Sequence, residues 1–162
     1  MAATPAIAAL EAAGIAHRVH KYTHDRRHTD YGAEAVAVMS ERLGVAPGQI
    51  FKTLVVDLGD RRLGVAVLPV PQQLSLKAAA KAFGVPKVAM AQAAQVTRAT
   101  GYVLGGVSPV GQKTALPTVV DASAGGHDRV LTSAGKRGLE IELAPADLIA
   151  VTGARVAPIA VD

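Results

Sequence analysis

Apolar residues recur every three or four positions in five segments of the chain, which is the spacing of one buried face of an α-helix. Thr4 can cap the first helix, with Pro5 in its first turn and Gly14 just past its end. The third helix begins after Ser75 and ends at Gly84. The other three are predicted at residues 34–43, 91–100 and 145–151. The side chains expected to face inward from the first three helices are Ile7, Leu10, Val36, Met39, Leu43, Leu76, Ala80 and Phe83.

Shorter apolar runs rich in Val, Ile and Leu predict seven strands between these helices. Gly59 and Asp60 are turn residues, so they predict a hairpin between the second and third strands. Strands and helices intermix without a regular βαβ rhythm, which indicates an α+β fold with a mixed sheet. The predicted strands are 15–22, 50–58, 62–70, 85–90, 118–121, 129–133 and 139–143.

Composition restricts the size of the domain and the kinds of partner that are possible, but it does not indicate a function. Residues 1–162 are predicted to form one domain, and half of them are hydrophobic, which is enough for a sizeable core. Aromatic residues make up 3%, so the chain lacks the platforms that commonly stack single-stranded bases. The net charge of +4 is compatible with an RNA partner and equally with an ordinary basic protein.

The chain contains no cysteine, which excludes disulfides, thiolate nucleophiles and cysteine–zinc sites. Its first residues lack the charged start and apolar core of a signal peptide. No apolar run approaches the ~20 residues of a membrane-spanning helix. We therefore expect a cytoplasmic protein with no membrane partner.

Lys52 is the first candidate for chemistry, because it lies near the start of an apolar strand. Strand alternation places it on one face with Leu54, Val56 and Leu58. A lysine in that position either faces a cleft, where its charge needs an anionic partner, or extends its head to water at the strand edge. The opposite face is also largely apolar, so the pattern by itself leaves both readings open.

The second candidate is the glycine-rich stretch 101–111, whose bare backbone could approach a ligand closely. Such a stretch is also often only a tight turn. It lacks the Gly-Lys-Ser/Thr ending of a phosphate-binding P-loop and the spacing of a dinucleotide fingerprint. Ser108 is followed by Pro109, so it does not fit the Gly-x-Ser-x-Gly nucleophile elbow. What remains is a backbone cradle or a structural turn.

His20, His24 and His28 fall four residues apart, a spacing that would align metal ligands on a helix. The surrounding pattern predicts a strand and a turn instead, and no HExxH motif is present. We therefore expect no metal site and no cofactor.

Lys136 and Arg137, between glycines, fit either a phosphate-facing turn or a solvated surface pair.

Three segments together resemble the YbaK/EbsC family of free-standing aminoacyl-tRNA deacylases, which are related to the editing domain of prolyl-tRNA synthetases. They are residues 50–54, the glycine-rich stretch 101–111, and residues 133–139, in the family's order and spacing. The resemblance extends from Pro5 to about Ala157. It implies a mixed, partly barrel-like sheet flanked by helices. The chain departs from relatives in having Glu140 where they often carry Asp, and in lacking a proline after Asp25.

The resemblance also implies roles for particular residues. Lys52 matches the family's essential lysine, and Gly105 to Pro109 match its Gly-x-x-x-Pro loop, which holds the aminoacyl ester and the terminal adenosine. The residues expected to contact substrate are Tyr22, Thr53, Gly101, Gly105, Gly106, Ser108, Pro109, Ser133, Gly135, Lys136, Arg137 and Glu140.

The implied substrate is a mischarged tRNA, and the implied reaction is cleavage of its aminoacyl ester, with prolyl-tRNA synthetase as an expected partner. In the family's cysteine-specific branch the substrate's own thiol attacks the ester and leaves as a thiolactone. Two alternatives remain: a deacylase for alanine, serine or another small amino acid, and a non-catalytic module that binds tRNA or a synthetase.

Overall fold

The computed structural model describes residues 4–25, 27 and 30–162. Five α-helices lie within this part of the chain: α1 (Pro5–Ala12), α2 (Tyr31–Leu43), α3 (Leu76–Phe83), α4 (Ala93–Thr100) and α5 (Pro145–Thr152). The strands are β1 (His17–Lys21), β2 (Phe51–Gly59), β3 (Arg62–Pro69), β4 (Gln73–Leu74), β5 (Ala89–Met90), β6 (Thr118–Asp121), β7 (Val130–Lys136), β8 (Leu139–Leu143), β9 (Arg155–Ala157) and β10 (Ala160–Val161).

The strands form a five-stranded mixed sheet in the order β5-β2-β3-β6-β9, a three-stranded sheet β1-β8-β7 and a small pair β4-β10. In the large sheet β2 pairs antiparallel with β3 and β5, whereas β3–β6 and β6–β9 are parallel. A parallel bridge from Ile50 to Leu131 brings the start of β2 to β7. The predicted mixed α+β fold is confirmed, and the sheets do not close into a barrel within the described residues.

Capping explains most of the helix boundaries. The Thr4 and Ser75 hydroxyls accept the amide hydrogens of Ile7 and Ala78, as the sequence predicts. Helix α2 begins three residues earlier than predicted, because the Asp30 carboxylate accepts the amide hydrogen of Ala33 at 3.1 Å. Left-handed glycines end the second to fifth helices, at Gly44, Gly84, Gly101 and Gly153.

The main core lies between the two larger sheets and helices α1 and α5, and it includes Leu10, Val65 and Leu148. Two inward assignments were wrong: Leu43 is 38% exposed and Leu76 is 43% exposed. Both lie in the terminal turns of their helices, where one face of the helix is no longer covered.

Of the described helices, none combines the length and the apolar character needed to cross a bilayer.

Candidate active site

Two adjoining cavities open beside the first residues of β2. The larger, of about 900 Å³, runs along the N-terminal half of α2, and we call it the outer cavity. The smaller, of about 180 Å³, extends toward β7 and β8, and we call it the inner cavity. Six residues line both, so the two spaces form one continuous cleft: Tyr31, Gly32, Lys52, Leu54, Val70 and Gly105.

Lys52 lies at the junction of the two cavities, which resolves the ambiguity left by strand alternation. Phe51 and Val55 on the opposite face pack into the main core, whereas Lys52 and Leu54 line both cavities. Phe51 and Thr53 reach only the inner cavity. The ammonium donates hydrogen bonds to the carbonyls of Val70 at 3.2 Å and Gln72 at 2.6 Å. These bonds fix the charged head against the chain that follows β3.

Partial burial lowers the pKa of Lys52, and the negative charge of Asp30 partly opposes that shift. Lys52 takes part in none of the ion pairs formed by the described residues. Its charge is therefore held by neutral carbonyls and remains able to attract an anion or a carbonyl oxygen from a ligand.

Tyr22, Thr53, Ser133 and Glu140 supply the polar groups of the inner cavity. Ser133 on β7 and Glu140 on β8 are directly opposite in the antiparallel register, so their side chains project on the same face. The Ser133 hydroxyl accepts the amide hydrogen of Gly135 at 3.1 Å, which leaves its own hydrogen available to a ligand. The Thr53 hydroxyl is buried and has no hydrogen-bond partner among the described residues.

Glu140 is the most perturbed of the described acids. Its side chain is buried, and desolvation raises the pKa of its carboxyl to about 8. The pKa of Tyr22 in the same cavity is also raised. Burial is the main cause, and the negative charges of Glu140 and Glu34 add to the shift. At neutral pH the Glu140 carboxyl therefore keeps its proton within the inner cavity.

The glycine-rich loop helps to form the cleft by packing closely against Tyr31 and Arg137. A Cβ atom at Gly105 would lie 2.5 Å from the Tyr31 ring and 2.6 Å from Arg137 Nε, and the backbone there has φ +89°. Only glycine allows this approach without strain. Gly106 packs against the backbone of Lys136 and donates its amide hydrogen to the Val103 carbonyl at 2.9 Å, so that amide is already used.

Several other residues expected to contact substrate line neither cavity. Ser108 and Pro109 are buried, and the Ser108 hydroxyl accepts the amide hydrogen of Val110 at 3.2 Å. Gly101 ends α4, and Gly135 forms part of an irregular stretch of β7 against the Tyr102 ring. These four positions shape the loop and the strand that carry the cavity lining.

Lys136 and Arg137 are exposed at the turn between β7 and β8. Arg137 donates a hydrogen bond to the Leu104 carbonyl at 2.7 Å, and its guanidinium lies 4.2 Å from the centre of the Tyr31 ring. Such a cation–π contact is worth about 0.5–1 kcal/mol at an exposed site. Arg137 therefore ties the glycine-rich loop to α2 at the rim of the cleft.

The histidines make ion pairs away from the cleft floor. His20 Nε2 lies 2.7 Å from Glu142, and His24 Nδ1 lies 2.6 Å from Glu34. His28 lies outside the described residues. None of the four described histidines, His17, His20, His24 and His127, is hydrogen-bonded to a serine, so no serine–histidine pair is formed in the part of the chain that the structure describes.

Sequence reasoning missed Asp30 and Tyr31, which line the outer cavity at the first turn of α2. The available signal was Asp30 itself, a preferred N-cap residue ahead of an apolar helical pattern. Because the predicted helix began at residue 34, Asp30 and Tyr31 were treated as part of the preceding loop. The Asp30 carboxylate caps the N-terminal amides of α2 and lines the same cavity as Lys52, so the outer cavity carries both an acidic and a basic group.

Comparisons with known proteins agree with this geometry. A family model described as the aminoacyl-tRNA editing domain matches residues 31–151. The protein EbsC of Enterococcus faecalis, named as a provisional Cys-tRNA(Pro)/Cys-tRNA(Cys) deacylase, is 38% identical over 156 residues, covering 96% of this chain and 92% of that protein.

Two solved structures share the fold over nearly their whole length. One is described as a provisional trans-editing enzyme for prolyl tRNA synthetase: its TM-score is 0.82 at 30% identity, covering 98% of this chain and 96% of that chain. The other is described as a hypothetical protein: its TM-score is 0.85 at 29% identity, covering 98% of this chain and 100% of that chain.

Proposed function

This chain belongs to the aminoacyl-tRNA editing domain family, and on that premise we propose that it is a trans-editing deacylase of mischarged tRNA. The expected substrates are Cys-tRNA(Pro) and Cys-tRNA(Cys), and the expected setting is the cytoplasm. The observation that carries the proposal is the small inner cavity, which joins Lys52 to the polar group formed by Ser133 and Glu140. A site of that size suits a small amino acid joined to a terminal ribose.

Lys52 is the proposed catalytic residue. Its ammonium stabilises the oxyanion that develops as the ester carbonyl is attacked, or the phosphate next to it. A compact ammonium held by two carbonyls is already in place before substrate arrives, so little reorganisation accompanies the reaction. The proposed contacts to ester and ribose come from Gly105 and Val107, which line the inner cavity, since the amide of Gly106 is committed within the loop.

The attacking group is proposed to come from the substrate. The chain has no cysteine, and its described residues form no serine–histidine pair. A cysteine thiol has a reference pKa near 8.5 and is partly ionised at neutral pH, whereas a serine hydroxyl is not. The thiolate sulfur attacks the ester carbonyl, the carbon–oxygen bond to the ribose breaks, and the ribose oxygen takes a proton. The product is a cyclic thiolactone, which water then opens to free cysteine.

The test is a deacylation panel on Cys-, Ser-, Ala- and Pro-tRNA with protein well below substrate. We expect many turnovers on Cys-tRNA and much slower cleavage of Ser-tRNA, because shape alone discriminates poorly between two groups so alike. Trapping of a thiolactone supports attack by the substrate thiol. Equal rates on Cys- and Ser-tRNA would instead indicate a general deacylase for small amino acids, and the absence of turnover would indicate a binding module.

Prolyl-tRNA synthetase is the proposed partner. The basic residues expected to face phosphates are few, and Lys77, Lys81, Lys136 and Arg137 are all exposed. So few phosphate contacts should give weak binding of tRNA by this chain alone. A synthetase that holds the same tRNA would raise the effective concentration of its acceptor end.

A further inference from the structure

We propose that Glu140 accepts the α-ammonium group of the substrate, so that this site cleaves tRNA esters of free amino acids and rejects those whose α-nitrogen is acylated. This inference rests on the proposed deacylase function and assigns the class of ester that the same site takes. An N-acylated ester has no charge on its nitrogen and adds bulk beside it. Both features oppose binding in a small cavity that presents a carboxyl.

The strand register places Glu140 at this position. In the three-stranded sheet, His20, Glu140 and Ser133 are directly opposite one another on β1, β8 and β7. Opposite residues of antiparallel strands project on the same face, so these three side chains form one row. His20 turns to Glu142, which leaves Glu140 and Ser133 on the lining of the inner cavity.

Glu140 is buried without a partner. Its exposed fraction is 6%, and its carboxyl makes no hydrogen bond or ion pair with any described residue. A buried acid in that condition is unfavourable unless it is protonated or meets a cation. The cation available within the cavity wall, Lys52, is bonded to the carbonyls of Val70 and Gln72 instead.

Among the described residues, none of the charged and titratable groups around Glu140 supplies its carboxyl with a bound cation. Tyr22 and Lys52 line the same cavity, Glu34 acts on Tyr22 from α2, and His20 with Glu142 lies along the sheet. The raised pKa of Glu140 is caused by desolvation rather than by a fixed neighbour. An ammonium group entering the cavity would reverse that effect by stabilising the ionised carboxyl through a charge-assisted hydrogen bond.

The arrangement also orients the ester. Glu140 and Lys52 line one cavity of about 180 Å³, so an amino group on Glu140 leaves the neighbouring carbonyl carbon within the same small space as the Lys52 ammonium. The amino group and the ester carbonyl are attached to the same carbon in every aminoacyl-tRNA. Binding at Glu140 would therefore position the reacting group as well as select it.

The experiment compares cysteinyl-tRNA with N-acetyl-cysteinyl-tRNA prepared with a free thiol, under single-turnover conditions. We expect the wild type to cleave the free-amine ester about 10- to 100-fold faster, the effect of one hydrogen bond to a charged group. Glu140→Gln should bring that ratio close to one by slowing cleavage of the free-amine ester. Glu142→Gln, two residues along the same strand and paired with His20, is the matched control and should keep the wild-type ratio.

The wild-type comparison tests the inference without any variant. Equal cleavage of both esters by the wild type, or an unchanged ratio in Glu140→Gln, would overturn the assignment of Glu140 while leaving the deacylase function intact. Failure of the wild type to cleave either ester would overturn the proposed function, and the assignment with it.

Discussion

Replacing Glu140 by glutamine should change how stability depends on pH. The carboxyl has a pKa of about 8 in the folded chain against an ordinary value of 4.5, because burial disfavours its charge. Between these two values the folded state keeps the proton and the unfolded state releases it. Stability therefore falls as pH rises through this window, and it stops falling once the folded carboxyl is also ionised.

The size of the effect follows from the same two values. Each pH unit within the window lowers the unfolding free energy by about 1.4 kcal/mol, and the whole window lowers it by up to about 5 kcal/mol. Glutamine has the shape of the protonated carboxyl and does not ionise. Relative to the wild type, Glu140→Gln should therefore gain up to about 1.4 kcal/mol of unfolding free energy per pH unit between pH 5 and pH 8.

The assay is urea denaturation of both proteins at pH 5, 6, 7 and 8, read as the difference in unfolding free energy at each pH. Contributions of the other titrating groups cancel in that difference. Glu142→Gln is the control, since it removes a carboxylate that is 15% exposed and paired with His20, where an ion pair is worth about 0–1 kcal/mol. A difference between Glu140→Gln and wild type that is flat across this range would refute the reasoning.

Three further outcomes are expected. Lys52→Ala should lower the deacylation rate by roughly 10²–10³ with the melting curve retained, and Lys52→Arg should also lose activity, because a planar guanidinium does not replace a compact ammonium. Full activity in Lys52→Ala would contradict the central role of Lys52, and Lys87→Ala, at an exposed lysine outside the cleft, is the control. Gly105→Ala should lower both the melting temperature and the deacylation rate, since its Cβ would meet Tyr31, whereas Gly125→Ala, which meets nothing within 4 Å, should change neither. Binding of tRNA to the isolated protein should be weak, and the logarithm of its association constant should fall with the logarithm of salt concentration by a slope of about −0.7 to −0.9 per phosphate contact. Sub-nanomolar binding that does not depend on salt concentration would contradict this expectation.

Local signals in the sequence determined most of the elements. Caps such as Ser75 and terminators such as Gly84 act within one helical turn, so their effect can be read without knowing the fold. Strand 118–121 and strand 139–143 were predicted with the bounds that the structure shows. The family segments also pointed to Lys52 and Gly105, which line the cleft, and their roles toward a substrate stay predictions.

Tertiary structure decided what depends on contacts between distant segments. The short strands β4, β9 and β10 were missed, because two or three residues form a strand only when a partner such as Leu74 for Ala160 lies beside them. Strand alternation could not choose a face for Lys52, since both faces of β2 are apolar and the choice was made by packing against the main core. The burial of Glu140 follows from the register of three strands, and no local sequence pattern could show that its carboxyl would lie unpaired in a cavity with Lys52.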